Sequence, residues 1–329
     1  MSIHIVFLAL LVAVPAVVVA WVVGRVLRDR PSSDGPAVVT DPAAAVGARR
    51  HAGTGALVAV LVAVLVALVA LPVASHTASS TLSGLAGGVA YGVAPATAGL
   101  SFLAVLALTE VTWPSPSGER RSASLVPRSV RDVAPHRLRR WTWVTALLAT
   151  LTTLACGLTA EPDGRSVGYV DGLVSGASSP YPGWFYGLPL LGACLLVLAG
   201  AEACLRLVVS RPAVAGVDTQ WDLGLRRLSA HRLLRGAQLT IGLTTAGMLV
   251  VAGKAATSTA TNAGLNGASA GPVGVLGAVA LGLGIALALT VVVVALLPGT
   301  PAGTRRGVAR AEPASAGGTG ADGDITRAR

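Results

Sequence analysis

The sequence predicts an all-α membrane protein with about seven transmembrane helices, its N-terminus outside and its C-terminus in the cytoplasm. Three observations carry that prediction. Only 12% of the 329 residues are charged, about half the share of a soluble domain, so the chain cannot coat a globule in charge. The apolar residues come in blocks: Ala56 to Leu71 is an unbroken run of Ala, Val and Leu, and Gly271 to Leu297 carries no charge. Finally, the basic residues alternate from one connection to the next. A helix crosses the hydrocarbon core with roughly 20 apolar residues. A membrane-spanning strand would instead alternate over about 10.

The spans fall near residues 3–24, 54–75, 84–109, 141–160, 185–205, 236–253 and 271–297, within a transmembrane domain of residues 1–298. The first has no Lys or Arg before it, while Arg25, Arg28 and Arg30 follow. A cleaved signal peptide has the opposite flanks, so this segment is expected to stay as a helix with its N-terminus outside. The second is the Ala/Val/Leu block. The third opens on Gly84, Gly87, Gly88 and Gly92 and contains Pro95. Along the fourth, Thr145, Ala149, Thr152, Cys156 and Thr159 make one stripe, expected to face another helix. The fifth is preceded by Tyr181, Trp184, Phe185 and Tyr186, rings suited to a membrane boundary. The sixth is short and runs on past Lys254 if that side chain snorkels. The seventh carries Gly274, Ala278 and Gly282 at four-residue spacing, a pattern that lets helix backbones approach.

Cytoplasmic connections collect Lys and Arg. Arginines occupy the first, third and fifth connections (Arg25 to Arg50, Arg120 to Arg140, Arg206 to Arg235) and the tail (Arg305 to Arg329). The even connections hold only Arg165 and Lys254. The net charge of +10 is therefore spread along helix flanks, where it fits topology signals and the anionic inner leaflet, and no nucleic-acid partner is expected. Residues 30–50 read as a linker and 299–329 as a disordered cytoplasmic tail, both too polar and simple to bury a core. Three helical hairpins follow the first helix. His136-Arg137-Leu138-Arg139-Arg140 and His231-Arg232-Leu233-Leu234-Arg235 stand before two of them and Arg49-Arg50-His51 before the other. Duplicated hairpins would give this pattern; so would the charge rule alone.

Ionisable groups at membrane depth are costly and mark sites. Glu202 is the first candidate, with Arg206 four residues on, on the same helix face; Glu110 closes the third span. The alternative role for Glu202 and Arg206 is a snorkelling pair at headgroup level. Other motifs lack their context. Gly267-Ala268-Ser269-Ala270-Gly271 has the spacing of a serine nucleophile, but that motif needs a strand–turn–helix setting and a histidine, and no histidine follows His231. The last span has no lysine for a retinal Schiff base. Cys156, Cys194 and Cys204 form no paired metal spacing, the five histidines are scattered, and no phosphate-binding loop is present. No cofactor, metal or catalytic residue is expected.

Ser122-Ala123-Ser124-Leu125-Val126-Pro127-Arg128 with Arg131-Asp132, Pro180-Tyr181-Pro182-Gly183-Trp184-Phe185-Tyr186, and Asp222 through Arg235 together carry a resemblance. The chain resembles a group of uncharacterised multi-pass membrane proteins from actinobacteria, whose genes often lie near a GntR-type regulator and ABC-transporter ATPases. The resemblance implies an accessory or permease-like role and assigns no functional residue. The expected function is a non-enzymatic membrane subunit of a transport system, working with a cytoplasmic ATPase or another membrane subunit. The alternatives are a membrane-embedded sensor and, less in keeping with the residues, an intramembrane enzyme.

Overall fold

The structure, a computed structural model, describes residues 39–80, 85–114 and 129–296. The predicted span 3–24, the arginines from Arg120 to Arg128 and the tail lie outside the described residues. The elements are α1 (Pro42–Ser80), α2 (Leu85–Val111), a single turn α3 (Val130–Val133), α4 (His136–Thr159), β1 (Val167–Asp171), β2 (Val174–Ser178), α5 (Trp184–Ser210), α6 (Thr219–Leu265) and α7 (Val273–Leu296). Six of them, α1, α2 and α4 to α7, are long and apolar enough to cross a membrane. They coincide with the six predicted spans between residues 54 and 297, and give the molecule its multi-pass membrane character.

Two elements reach further than the hydrophobic blocks. Helix α1 starts inside the segment expected to be a linker. Asp41 Oδ1 accepts the Ala44 N–H at 3.0 Å, and Pro42 opens the helix, a favourable cap followed by a residue with its φ already set. Ala45, Ala48 and Ala52 are then buried against Trp113, Trp221 and Leu225. For residues 42–50 the linker reading fails because the partners of those alanines lie far away in sequence; residues 30–38 lie outside the described residues. Helix α6 has 47 residues, about 70 Å at 1.5 Å each, more than twice the roughly 30 Å hydrocarbon thickness. Its first turns bury Trp221, Leu225, Leu233 and Leu234, and its last turns bury Thr259 and Ala263. Lys254, in between, is exposed.

Helices α5 and α6 pack together at the centre, α2 and α4 each pack on both, α1 lies on α2, and α7 lies on α6. Leu103, Cys194, Val197, Leu198, Leu205, Leu233, Leu234 and Ile241 fill the space between them. The most apolar stretch of α6 is 61% buried, against 11% for α1 and for α7, so α6 is the axis and those two are flanks. Small residues set the approach. A methyl group added at Gly277 would lie 2.7 Å from Ala256 Cβ, and one at Gly284 2.9 Å from the Val250 backbone. Gly277, Gly284 and Val291 are the buried residues of α7, and their seven-residue spacing is that of shallow, coiled-coil-like crossings. Of the predicted stripe, Gly274 meets Ala260, whereas Gly282 faces open space; the contact row is rotated from it. On α2, Gly88 and Gly92 admit Tyr186 and Leu190 of α5. On α4, Thr145, Ala149, Thr152 and Cys156 are buried as a contact face, and Thr159 is exposed.

The antiparallel packing brings the described arginine-bearing connections to one end of the bundle and Arg165 to the other. At that other end β1 and β2 form a hairpin, paired from Val167↔Ser178 to Asp171↔Val174, whose turn uses Gly172 at φ +61°. Three bonds fasten it to the end of α6. Thr259 donates to the Val167 carbonyl (3.0 Å), Asn266 Nδ2 to the Tyr169 hydroxyl (3.2 Å), and the Ser269 N–H to Asp171 Oδ2 (2.7 Å). Beside it the Tyr181 hydroxyl pairs with Thr159 Oγ1 at 2.7 Å, and burial pushes that phenol up to about 12.

Candidate functional site

The charged groups worth considering as a site gather at the arginine-rich end, and the fold sorts them into two sets. The first is buried. Arg211 follows the last turn of α5 and reaches Glu110 at the end of α2, Nη1 to Oε2 at 3.0 Å, with both side chains almost fully enclosed. The rest of the guanidinium lies over the Trp113 ring, 3.8 Å from its centroid. Its Nε and Nη2 have no hydrogen-bond acceptor among the described residues, so the indole face, an electrostatic partner for a cation, is what they meet. The His51 ring stands nearly perpendicular to the same indole, with ring centroids 5.3 Å apart, and its Nε2 is 2.9 Å from the Thr109 carbonyl.

Arg226 completes this set. Its side chain is fully buried and pairs with Asp222 one turn earlier on α6, Nε to Oδ2 at 2.8 Å. Its other nitrogens donate to the carbonyls of Val208 (2.6 Å), Val209 (3.0 Å), Arg211 (2.8 Å) and Pro212 (3.2 Å). The last carbonyls of a helix have no partner within it, and they carry the negative end of its dipole. One cation from α6 thus caps the end of α5, and Arg211 from that same end caps the approach to α2. Together the two arginines clamp three helices.

The second set is half-exposed, on the face shared by α4 and α5. Glu202 receives Arg139 through two bonds, Nε to Oε1 at 2.8 Å and Nη2 to Oε2 at 2.9 Å, and the Trp143 Nε1–H at 3.0 Å. Arg206, the partner its spacing suggested, stays exposed. The roughly 18 residues from Trp184 to Glu202 rise about 27 Å, close to the hydrocarbon thickness. Glu202 thus lies toward the C-terminal end of α5, and it pairs with Arg139 where the snorkelling alternative paired it with Arg206.

Of the three residues singled out in the sequence, Glu110 and Glu202 each hold an arginine from another part of the chain, and the structure does not bring these two carboxylates together. Arg139 and Arg211 were missed because their partners are 63 and 101 residues away. Asp222 and Arg226 had a legible signal, opposite charges four apart on one helix. Each of these carboxylates is engaged by a guanidinium, an arrangement that fixes shape. A cavity between α1, α2, α5 and α6, lined by Thr109, Glu110, Ser229 and Arg232 among others, has about 10 Å³ of room, enough for about one water. Ser269 lies in the turn between two helices, with its N–H on Asp171, outside the setting a nucleophile elbow needs. Among the described residues no three metal-ligating side chains converge.

No family model matches the chain, and no curated protein or solved structure is significantly similar to it. The residues behind the actinobacterial resemblance occupy α3, the turn into α5 and the arginine-rich start of α6, while residues 122–128 lie outside the described ones.

Proposed function

We propose that the chain is a non-enzymatic, permease-like or accessory membrane subunit of a transport system, with its arginine-rich end in the cytoplasm docked to a separate partner such as an ATPase. The observation that carries this reading is the construction of that end. The starts of α1 and α6 project there as a folded platform around Trp113 and Trp221, and the two buried arginines lock it. Arg49, Arg50, Arg131 and Arg227 remain exposed upon it, against Asp41, Asp132 and Asp218. A preformed surface costs little ordering on binding, and its exposed arginines favour oriented capture of an acidic partner. The charge alternation supports that orientation, with the N-terminus outside and the C-terminus on the cytoplasmic side.

A second reading has its own observation. The hairpin end is folded and bonded to α6, and α6 runs unbroken from there to the platform, as a sensor of an external signal requires. Co-purification from native membranes in mild detergent separates the two. The subunit reading expects a stoichiometric ATPase that is lost when Arg49, Arg50, Arg131 and Arg227 are replaced by Gln. A chain that purifies alone contradicts it and favours the sensor.

A further inference from the structure

One face of α6 is covered toward the arginine-rich end of the bundle and open toward the hairpin end. Gly236, Thr240, Leu243, Gly247, Val251 and Lys254 recur at three- and four-residue intervals and so form one stripe. Helix α2 covers the first part, where Gly99 meets Thr240 and Phe102 meets Gly236. Further along, α2 leans on α5 instead, through Gly88 and Gly92 against Tyr186 and Leu190. There the stripe is uncovered. Gly247, Val251 and Lys254 are exposed, and a methyl group added at Gly247 would have no atom within 4 Å. Tyr91, on the face of α2 that carries Gly99 and Phe102, is exposed as well. On the other side α7 packs on α6 through Ala246, Val250 and Gly253. The result is a groove with α6 as its floor and α2 and α7 as its walls. The Ala246 carbonyl faces Gly284, near the middle of α7, so the bare Gly247 lies near mid-depth. Lys254 follows Gly253, which meets Gly277 about one turn inside the start of α7, within snorkelling reach of the boundary.

We propose that this groove seats the sequence-predicted span 3–24 of the same chain. That span lies outside the described residues, which begin at Val39, bridged to Val217 just before α6. The 14 residues from 25 to 38 reach at most about 50 Å, so they tether the span to the end from which the floor of the groove rises. In lipid no hydrophobic effect drives helices together, and close backbone approach decides where a helix packs. Helices α1 and α7 each offer outward the convex side of one helix, whereas the groove offers a floor and two walls. The span's own sequence complements it. Ala9, Ala13, Ala16 and Ala20 fall on one helical face and let it close on Gly247. With its N-terminus outside, the span runs antiparallel to α6, which sets Ala13 level with Gly247 and Ala9 level with Val251. The seat rests on the membrane reading of the helices and is independent of any partner at the platform.

The test is disulfide formation within the full chain in native membranes, since a disulfide needs Cα atoms within about 7 Å. Ala13→Cys is combined in turn with Gly247→Cys, Leu65→Cys and Leu283→Cys; Leu65 and Leu283 are exposed on α1 and α7. After mild copper-phenanthroline oxidation, free thiols are counted by maleimide mass tagging of the denatured chain. The native Cys156, Cys194 and Cys204 are free and buried and give a constant background. The Gly247→Cys pair is expected to lose its two added thiols as a monomer, severalfold faster than either other pair. A faster reaction with Leu65→Cys or Leu283→Cys, or equal rates for all three, overturns the proposal. So does a disulfide-linked dimer formed by Gly247→Cys alone, which would give the groove to a second copy. Ala9→Cys with Val251→Cys is a separate pair, so the result does not depend on one variant folding. The absence of an intrachain disulfide in both groove pairs overturns the proposal as well.

Discussion

Glu110 and Glu202 each bind an arginine from another segment, yet their surroundings give them different weight. The Glu110–Arg211 side chains are 7% and 0% exposed, whereas Glu202 and Arg139 are 17% and 34% exposed. Removing one member of a buried pair strands the other charge and costs about 3–5 kcal/mol; a pair open to solvent is worth about 0–1 kcal/mol. Glu110→Gln is therefore expected to lower thermal stability in detergent sharply, and Glu202→Gln to change it little. Equal losses would show that the two pairs are not distinguished by burial. Both carboxylates could be picked out in the sequence because acidic residues are scarce inside the spans. Their partners could not, because Arg139 and Arg211 are two of many boundary arginines and only the fold selects them.

The elements divide in the same way. Long apolar blocks identify α2, α4, α5 and α7 to within a few residues, since lipid imposes length and composition on any helix that crosses it. The extensions of α1 and α6 escaped because they are half polar and take their burial from Trp113, Trp221 and the hairpin. Glycine spacing showed that α7 makes a close contact, but the face came out wrong, because Gly274, Gly277, Gly282 and Gly284 offer more than one small-residue stripe. Gly277→Leu is expected to push α7 away from α6, at a cost of about 1–3 kcal/mol for overpacking. Gly282→Ala, with nothing within 4 Å of the added methyl group, is expected to leave unfolding in detergent within about 0.5 kcal/mol of the parent. The reverse ranking would place the wrong face of α7 against α6.

At the scale of the whole molecule, a tightly packed α6 joins a folded hairpin at one end to an ion-paired, arginine-bearing platform at the other. The proposed function depends on which side of the membrane each end occupies. The native Cys156, Cys194 and Cys204 are free and buried, which favours a low background for cysteine labelling. Leu173, in the hairpin turn, is fully exposed at 105%, and Arg131 is exposed on α3 at the platform. Single Leu173→Cys and Arg131→Cys chains would be treated with a membrane-impermeant maleimide, first in intact cells and then after permeabilisation. The account predicts that Leu173→Cys is labelled in intact cells and Arg131→Cys only once the membrane is opened. Labelling of Arg131→Cys in intact cells, with Leu173→Cys protected, would put the platform outside and contradict the docking of a cytoplasmic partner.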